Sequence, residues 1–215
     1  GVFSIVHGGA DVASVLLEHP DIKGVTFVGT TEVGKNVICK KCAETGKRYI
    51  AQTSAKNFLL VMPDAEIERT IAAVMTSFFG NTGQRCLSGA DLVIVGKDDR
   101  FYRTFADAVI EAASKIRVGY GLDESIQMGP MQSVDGKERV ITYIQKGIEE
   151  GAKLRLDGRK LNIIGDYPDT CFLNPTIFED VTPDMTIGRE EIFGPVMSII
   201  RARDLDEAIE MIHSN

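Results

Sequence analysis

The sequence predicts an α/β fold built mainly on parallel sheet, and three observations carry that expectation. Short β-rich runs alternate with segments whose apolar residues recur at helical spacing, along all 215 residues. The apolar runs at 58–62, 92–95 and 196–200 are continuous rather than alternating, as strands covered on both faces require. At 24–46 a short strand passes through a glycine-bracketed turn into a helix, the βα unit from which parallel sheets are assembled.

Taken in order, residues 2–6 alternate as a strand, Gly8-Gly9 turns, and Val12, Val15 and Leu16 mark a helix that Pro20 ends. The strand at 24–28 leads into Gly29-Thr30-Thr31-Glu32-Val33-Gly34, and Val33, Val37 and Ile38 continue as a helix up to Gly46. A strand at 48–51 is joined to the buried strand 58–62 by 52–57, the expected boundary between one domain at 1–52 and another at 53–215. Asp64 is the expected N-cap of a helix whose apolar face is Ile67, Ile71, Val74, Met75 and Phe78. Beyond it come a strand at 92–95 and a helix carrying Phe101, Phe105, Val109 and Ala112. A glycine-rich loop at 119–131 precedes a helix carrying Val140, Ile141, Ile144 and Ile148. Strands are expected at 154–156, 171–178 and 196–200, and a last helix is capped by Asp204.

The helix that begins after Asp64 runs into Gly80-Asn81-Thr82-Gly83-Gln84-Arg85-Cys86-Leu87-Ser88-Gly89. This loop delivers one cysteine beside an arginine, with glycines on both sides that let backbone approach a ligand. A thiolate is the reactive form of cysteine, and a neighbouring guanidinium favours it. Taken alone, the same run equally suits a small buried thiol at a helix end. The Gly29 turn is likewise open to two readings: phosphate held at a helix N-terminus, or a glycine that packs helix on strand.

Four landmarks occur in one order: Gly29-Thr30-Thr31-Glu32-Val33-Gly34, Ala55-Lys56-Asn57, Gly83-Gln84-Arg85-Cys86 and Glu190-Glu191-Ile192-Phe193-Gly194-Pro195. In order and spacing they resemble the aldehyde dehydrogenase superfamily, over nearly the whole chain. Arg85 directly before the cysteine, and Ala-Lys-Asn without a preceding glutamate, most resemble the methylmalonate-semialdehyde dehydrogenases, the branch that acylates coenzyme A. The resemblance implies an aldehyde dehydrogenase-like fold, with 1–52 the C-terminal part of a Rossmann-type NAD domain and 53–215 a catalytic domain incomplete at its C-terminal end. It also implies a piece of a longer enzyme, lacking the oxyanion-stabilising asparagine and the residues for the adenine half of NAD. Such a piece is expected neither to bind NAD tightly nor to turn over.

What the resemblance implies for single residues is specific. Cys86 is the nucleophile that carries a thioester, and Arg85 favours its thiolate and pairs with a substrate carboxylate. Gly29, Thr30 and Gly34 meet the nicotinamide dinucleotide; Glu191 accepts hydrogen bonds from the ribose diol, and Phe193 flanks the nicotinamide ring. Most relatives carry a glutamate where Gln52 stands, as the base for hydrolysis. An amide cannot take a proton from water, so the thioester is expected to pass to coenzyme A. The expected reaction is NAD-dependent oxidation of a carboxylate-bearing aldehyde such as methylmalonate or malonate semialdehyde. The alternatives are a hydrolytic, NAD(P)-dependent semialdehyde dehydrogenase and a catalytically silent relative.

Composition narrows the partners. A net charge of −7 with scattered basic residues offers nothing to nucleic acid, and no apolar run has the length of a membrane span. Four cysteines are too few for a disulfide scaffold in a chain of this size, and Cys39-Lys40-Lys41-Cys42 has no second pair to complete a metal site, so no metal is expected. Reduced thiols imply an intracellular protein, cytoplasmic or in a mitochondrial matrix. The partners expected are a small-molecule semialdehyde and further copies of the chain, as a homodimer or homotetramer.

Overall fold

A computed structural model describes residues 1–214 and divides them into a first unit, Gly1–Ala55, and a second from Lys56 onward. In the first unit, helix α1 (Ala10–Glu18) precedes strand β1 (Gly24–Val28). The chain then forms helix α2 (Thr31–Val33), a π-helical stretch (Gly34–Cys39) and helix α3 (Lys40–Thr45), which ends at Gly46 in the left-handed conformation only glycine takes freely. Strand β2 (Arg48–Gln52) pairs with β1 in parallel, Val28 opposite Gln52. Leu17, Ile38 and Cys42 form the small core, with Val25 and Phe27 packed against it. Buried Cys42 is a core thiol.

The second unit is a three-layer α/β sandwich. Strand β3 (Phe58–Val61), helix α4 (Ile67–Phe79), strand β4 (Asp91–Val95) and helix α5 (Asp99–Ser114) follow one another, then a short strand β5 (Val118–Gly119) and helix α6 (Val134–Glu149). Strand β6 (Lys153–Leu156), short strand β7 (Ile163–Ile164), strand β8 (Thr176–Glu179), the single turn of helix α7 (Thr186–Arg189), strand β9 (Val196–Ala202) and helix α8 (Leu205–His213) complete it. The main sheet runs β3-β4-β9-β8-β6, parallel except for the antiparallel edge strand β6; β5 pairs separately with β7.

Both faces of this sheet are covered, which is why its strands read as continuous apolar runs. Leu92, Ile94, Met197 and Ile199 face one core with Val74 and Phe78 of α4 and Phe105 and Val109 of α5. Val93, Val95, Val196 and Ile200 face the other, with Val140 and Ile144 of α6 and Ala208 of α8.

Three local expectations are corrected. Residues 2–6 form no strand: Val2, Phe3, Ile5 and Val6 stand exposed, and among the described residues no neighbour pairs with them, without which alternation alone makes no ladder. The N-cap of α4 is Glu66, not Asp64: its carboxylate accepts from the N–H groups of Glu68 and Arg69. The strand expected over 171–178 is confined to β8, because a 3₁₀ turn (Asp169–Cys171) and Pro175 precede it and proline cannot donate to a ladder. Asp204 caps α8 as expected, accepting from Glu207 N at 3.0 Å.

Candidate active site

Helix α4 delivers the cysteine loop through an abrupt reversal. A 3₁₀ turn, Gly80–Gly83, follows its last residue, and Asn81, Thr82 and Gly83 are all left-handed, with φ of 52°, 57° and 68°. Asparagine and glycine tolerate this; a β-branched threonine does so only under constraint. Thr82 is buried and donates from Oγ1 to the Gly129 carbonyl at 2.9 Å, and Gln84 Oε1 accepts from Gln132 N at 2.9 Å. The Gly129-Pro130 loop therefore holds the reversal from outside. Arg85 to Ser88 close a turn, Ser88 N donating to Arg85 O at 3.0 Å, and Cys86 and Leu87 stand exposed at its tip. The sulfur lies on an exposed turn, not in hydrocarbon.

Arg85 turns its guanidinium back onto the helix that precedes it. Nη2 donates to the carbonyls of Thr76 (2.6 Å) and Ser77 (3.0 Å), and Nε to Ser88 Oγ (3.3 Å). A cation on the last carbonyls of a helix offsets their unpaired lone pairs and the negative end of the dipole. Nη1 carries the remaining donors.

The Glu190–Pro195 motif comes to this same loop. A Cβ built on Gly83 would lie 2.2 Å from the carbonyl oxygen of Gly194, so the two backbones touch where only glycine permits. Phe193, half-buried, is itself left-handed at φ 56°. Two strained segments thus meet at one place, a pattern that accumulates at functional sites. Glu190 and Glu191 are held differently. Tyr143 of α6 donates its hydroxyl to Glu190 Oε2 at 2.7 Å, and burial, followed by that carboxylate, pushes the phenol up to about 12. Glu191 is half-buried beside it.

Sequence reasoning missed how Lys56 and Asn57 act. Asn57 Nδ2 donates to the carbonyls of Cys86 (2.8 Å) and Ser88 (2.9 Å), and its own carbonyl accepts from the N–H groups of Ala90 and Asp91. Lys56 Nζ donates to the carbonyls of Ile187 (2.7 Å) and Glu190 (3.1 Å) and lies 3.3 Å from Asp91 Oδ1. Both side chains of this ion pair are buried, 3% and 0% exposed. Neither Asp91 oxygen has a formed hydrogen bond among the described residues, so charge at 3.3 Å is its compensation. Burial pushes the carboxyl up to about 7, against the pull of Lys56 and the Ser198 hydroxyl; burial likewise lowers the Lys56 ammonium. The available signal was a charged residue opening the apolar run Asp91-Leu92-Val93-Ile94-Val95.

In the first unit, Gly29 N donates to Gln52 O at 3.1 Å, which places the turn beside the end of β2. A Cβ on Gly29 would strike the Phe27 ring at 2.4 Å, and one on Gly34 the Thr53 methyl at 2.5 Å. Thr30 caps the helix, its Oγ1 accepting from Val33 N, and Ser54 Oγ accepts from Thr31 N. The glycines here serve close packing, and Gly29 and Thr30 remain exposed. Among the described residues no group of three or more His, Cys, Asp or Glu is placed to hold a metal, and no helix is long and apolar enough to cross a membrane.

The model of the aldehyde dehydrogenase family matches residues 1–215. The chain belongs to the aldehyde dehydrogenase family. It is 45% identical, over all 215 of its residues, to malonate-semialdehyde dehydrogenase 1 of Geobacillus kaustophilus (strain HTA426), and it spans 43% of the length of that relative. Among solved structures it is similar to a Sinorhizobium meliloti 1021 protein complexed with NAD (36% identity, TM-score 0.89, 95% of this chain and 41% of that one). It is also similar to a methylmalonate-semialdehyde dehydrogenase from Oceanimonas doudoroffii (32% identity, TM-score 0.89, 95% and 41%). The α/β architecture is that of aldehyde dehydrogenases with their NAD-binding domain.

Proposed function

We propose that the protein to which this chain belongs oxidises a small semialdehyde with NAD and passes the acyl group to coenzyme A, through Cys86. The observation that carries the reading is the exposed Cys86 turn, fixed by Asn57 and abutting the Glu190–Pro195 motif where Gly83 meets Gly194. Cys86 bonds to the aldehyde carbon through sulfur and, once that carbon has been oxidised, carries the acyl group as a thioester. Coenzyme A, a substrate here, attacks the thioester carbonyl through its own thiol, and Cys86 departs as thiolate. Arg85 offers Nη1 to the substrate carboxylate while Nε and Nη2 hold the loop.

NAD, when bound, supplies the hydride acceptor. The residues fit such a group: Glu191 is a carboxylate suited to a ribose diol, Phe193 a half-exposed ring suited to keeping water from the nicotinamide, and Gly29, Thr30 and Gly34 form the turn assigned to the dinucleotide. Gln52 ends β2 without a carboxylate, which supports transfer to a thiol over hydrolysis. The assignment of 1–52 to the cofactor side and 53–215 to the catalytic side, and assembly as a homodimer or homotetramer, belong to the same reading. Bacterial relatives favour the cytoplasm over a mitochondrial matrix.

Product analysis on the full-length enzyme tests it. With malonate semialdehyde and NAD, acyl-group transfer should give acyl-CoA at a rate that depends on added coenzyme A. Equal release of free acid with and without coenzyme A contradicts it and selects the hydrolytic alternative.

A further inference from the structure

Two adjacent residues just before β3 reach the two halves of the candidate site. Asn57 holds the Cys86 turn by two carbonyls, and Lys56 holds the segment that leads to Glu191 by the carbonyls of Ile187 and Glu190. An ammonium that is 3% exposed is compensated there by Asp91 and by the two carbonyls to which it donates, and Asp91 opens β4, the strand that directly follows the cysteine loop. Ser198 of β9, next to Asp91 in the sheet register, donates to the same Ile187 carbonyl at 3.2 Å. The charges facing Lys56 are Asp91, Glu190 and Glu191; the groups facing Asp91 are Lys56 and the Ser198 hydroxyl.

We infer that the buried Lys56–Asp91 pair is a positioning device, which sets the Glu190–Phe193 segment against the Cys86 turn and so determines how well the site accepts NAD. The inference rests on the reading of Glu191 and Phe193 as NAD contacts. Lys56 and Asp91 touch no substrate in it; they act through the backbone they hold. Four carbonyls are thereby referred to one point on the rigid sheet: those of Cys86 and Ser88 through Asn57, and those of Ile187 and Glu190 through Lys56. Tyr143 adds the selection between neighbouring acids, since its hydroxyl occupies Glu190 and leaves Glu191 to face the diol.

The test is a double-variant cycle on the full-length enzyme, reading NAD dissociation constants by calorimetry and the alkylation rate of Cys86 by iodoacetamide without NAD. Lys56→Met keeps the length of the side chain and removes the ammonium. It should weaken NAD binding roughly ten- to hundredfold, as expected for a displaced contact segment, and leave Cys86 alkylation close to the parent rate. Glu191→Gln should weaken NAD binding by itself, and Lys56→Met added to it should weaken binding little further, because both act through one contact. Unchanged affinity in Lys56→Met, or factors that multiply in the double variant, overturns the inference. Asp91→Asn provides the same reading if Lys56→Met does not fold: weaker NAD binding supports the inference and unchanged binding in a folded protein overturns it. Unchanged affinity in Glu191→Gln overturns the underlying assignment of Glu191 instead, a result separable from any effect at Lys56.

Discussion

At the scale of single residues, Asp91 departs far from the ordinary behaviour of a carboxylate. Burial favours its neutral form, so between the unfolded value of 3.8 and the folded value of about 7 the native state holds a proton that the unfolded chain releases. Stability should therefore fall as pH rises through that window. The lowered Lys56 ammonium works in the opposite sense, its neutral form being favoured by the same burial. Asp91→Asn removes the titrating carboxyl, and urea midpoints measured at about pH 5 and about pH 8 should then differ less than those of the parent. An unchanged difference would assign the pH dependence to other groups. Arg85 makes a different point at this scale. Its place next to Cys86 in sequence suggested a free cation beside a thiol, but two of its nitrogens are spent on α4 and Ser88.

At the scale of elements, the cysteine is presented by the failure of a helix. Helix α4 ends at Phe79, and three consecutive left-handed residues swing the chain into the Cys86 turn, held by Thr82 on the Gly129 carbonyl. Gly83 carries two demands, φ of +68° and backbone contact with Gly194. Gly83→Ala violates both and should destabilise the protein by about 1–3 kcal/mol or more, while parting the cysteine loop from the Glu190–Pro195 motif. Chemical denaturation reads the first and NAD affinity the second; a variant unaffected in both would show that the contact is dispensable. The helices and buried strands were legible because their causes are local: α5 and α6 carry apolar residues at helical spacing, and β4 and β9 are covered on both faces. The position of Cys86 was legible from its glycines and neighbours. The Lys56–Asp91 pair was not, since 35 residues of chain separate its members and only the β3–β4 register brings them together. Residues 2–6 failed for the complementary reason: an alternating pattern needs a partner strand, and none of the described residues provides one.

At the scale of the whole molecule, the chain comprises two units and spans 43% of the length of its Geobacillus kaustophilus relative. The second unit alone brings together the exposed thiol, the Glu191–Phe193 segment and the buried pair that ties them to one sheet. The first unit supplies the Gly29 turn on a two-stranded parallel sheet. Covalent catalysis by a cysteine makes a claim about one sulfur out of four, and the others are distinguished by burial: Cys42 is core, Cys39 and Cys171 are half-buried, and Cys86 is exposed on a constrained turn. The most direct measurement is peptide mass spectrometry of the full-length enzyme quenched after reaction with malonate semialdehyde and NAD in the absence of coenzyme A. An acyl adduct on the peptide containing Cys86, removed when coenzyme A is added, is the predicted result; a turning-over enzyme with no adduct, or with the adduct on Cys39, Cys42 or Cys171, would contradict it.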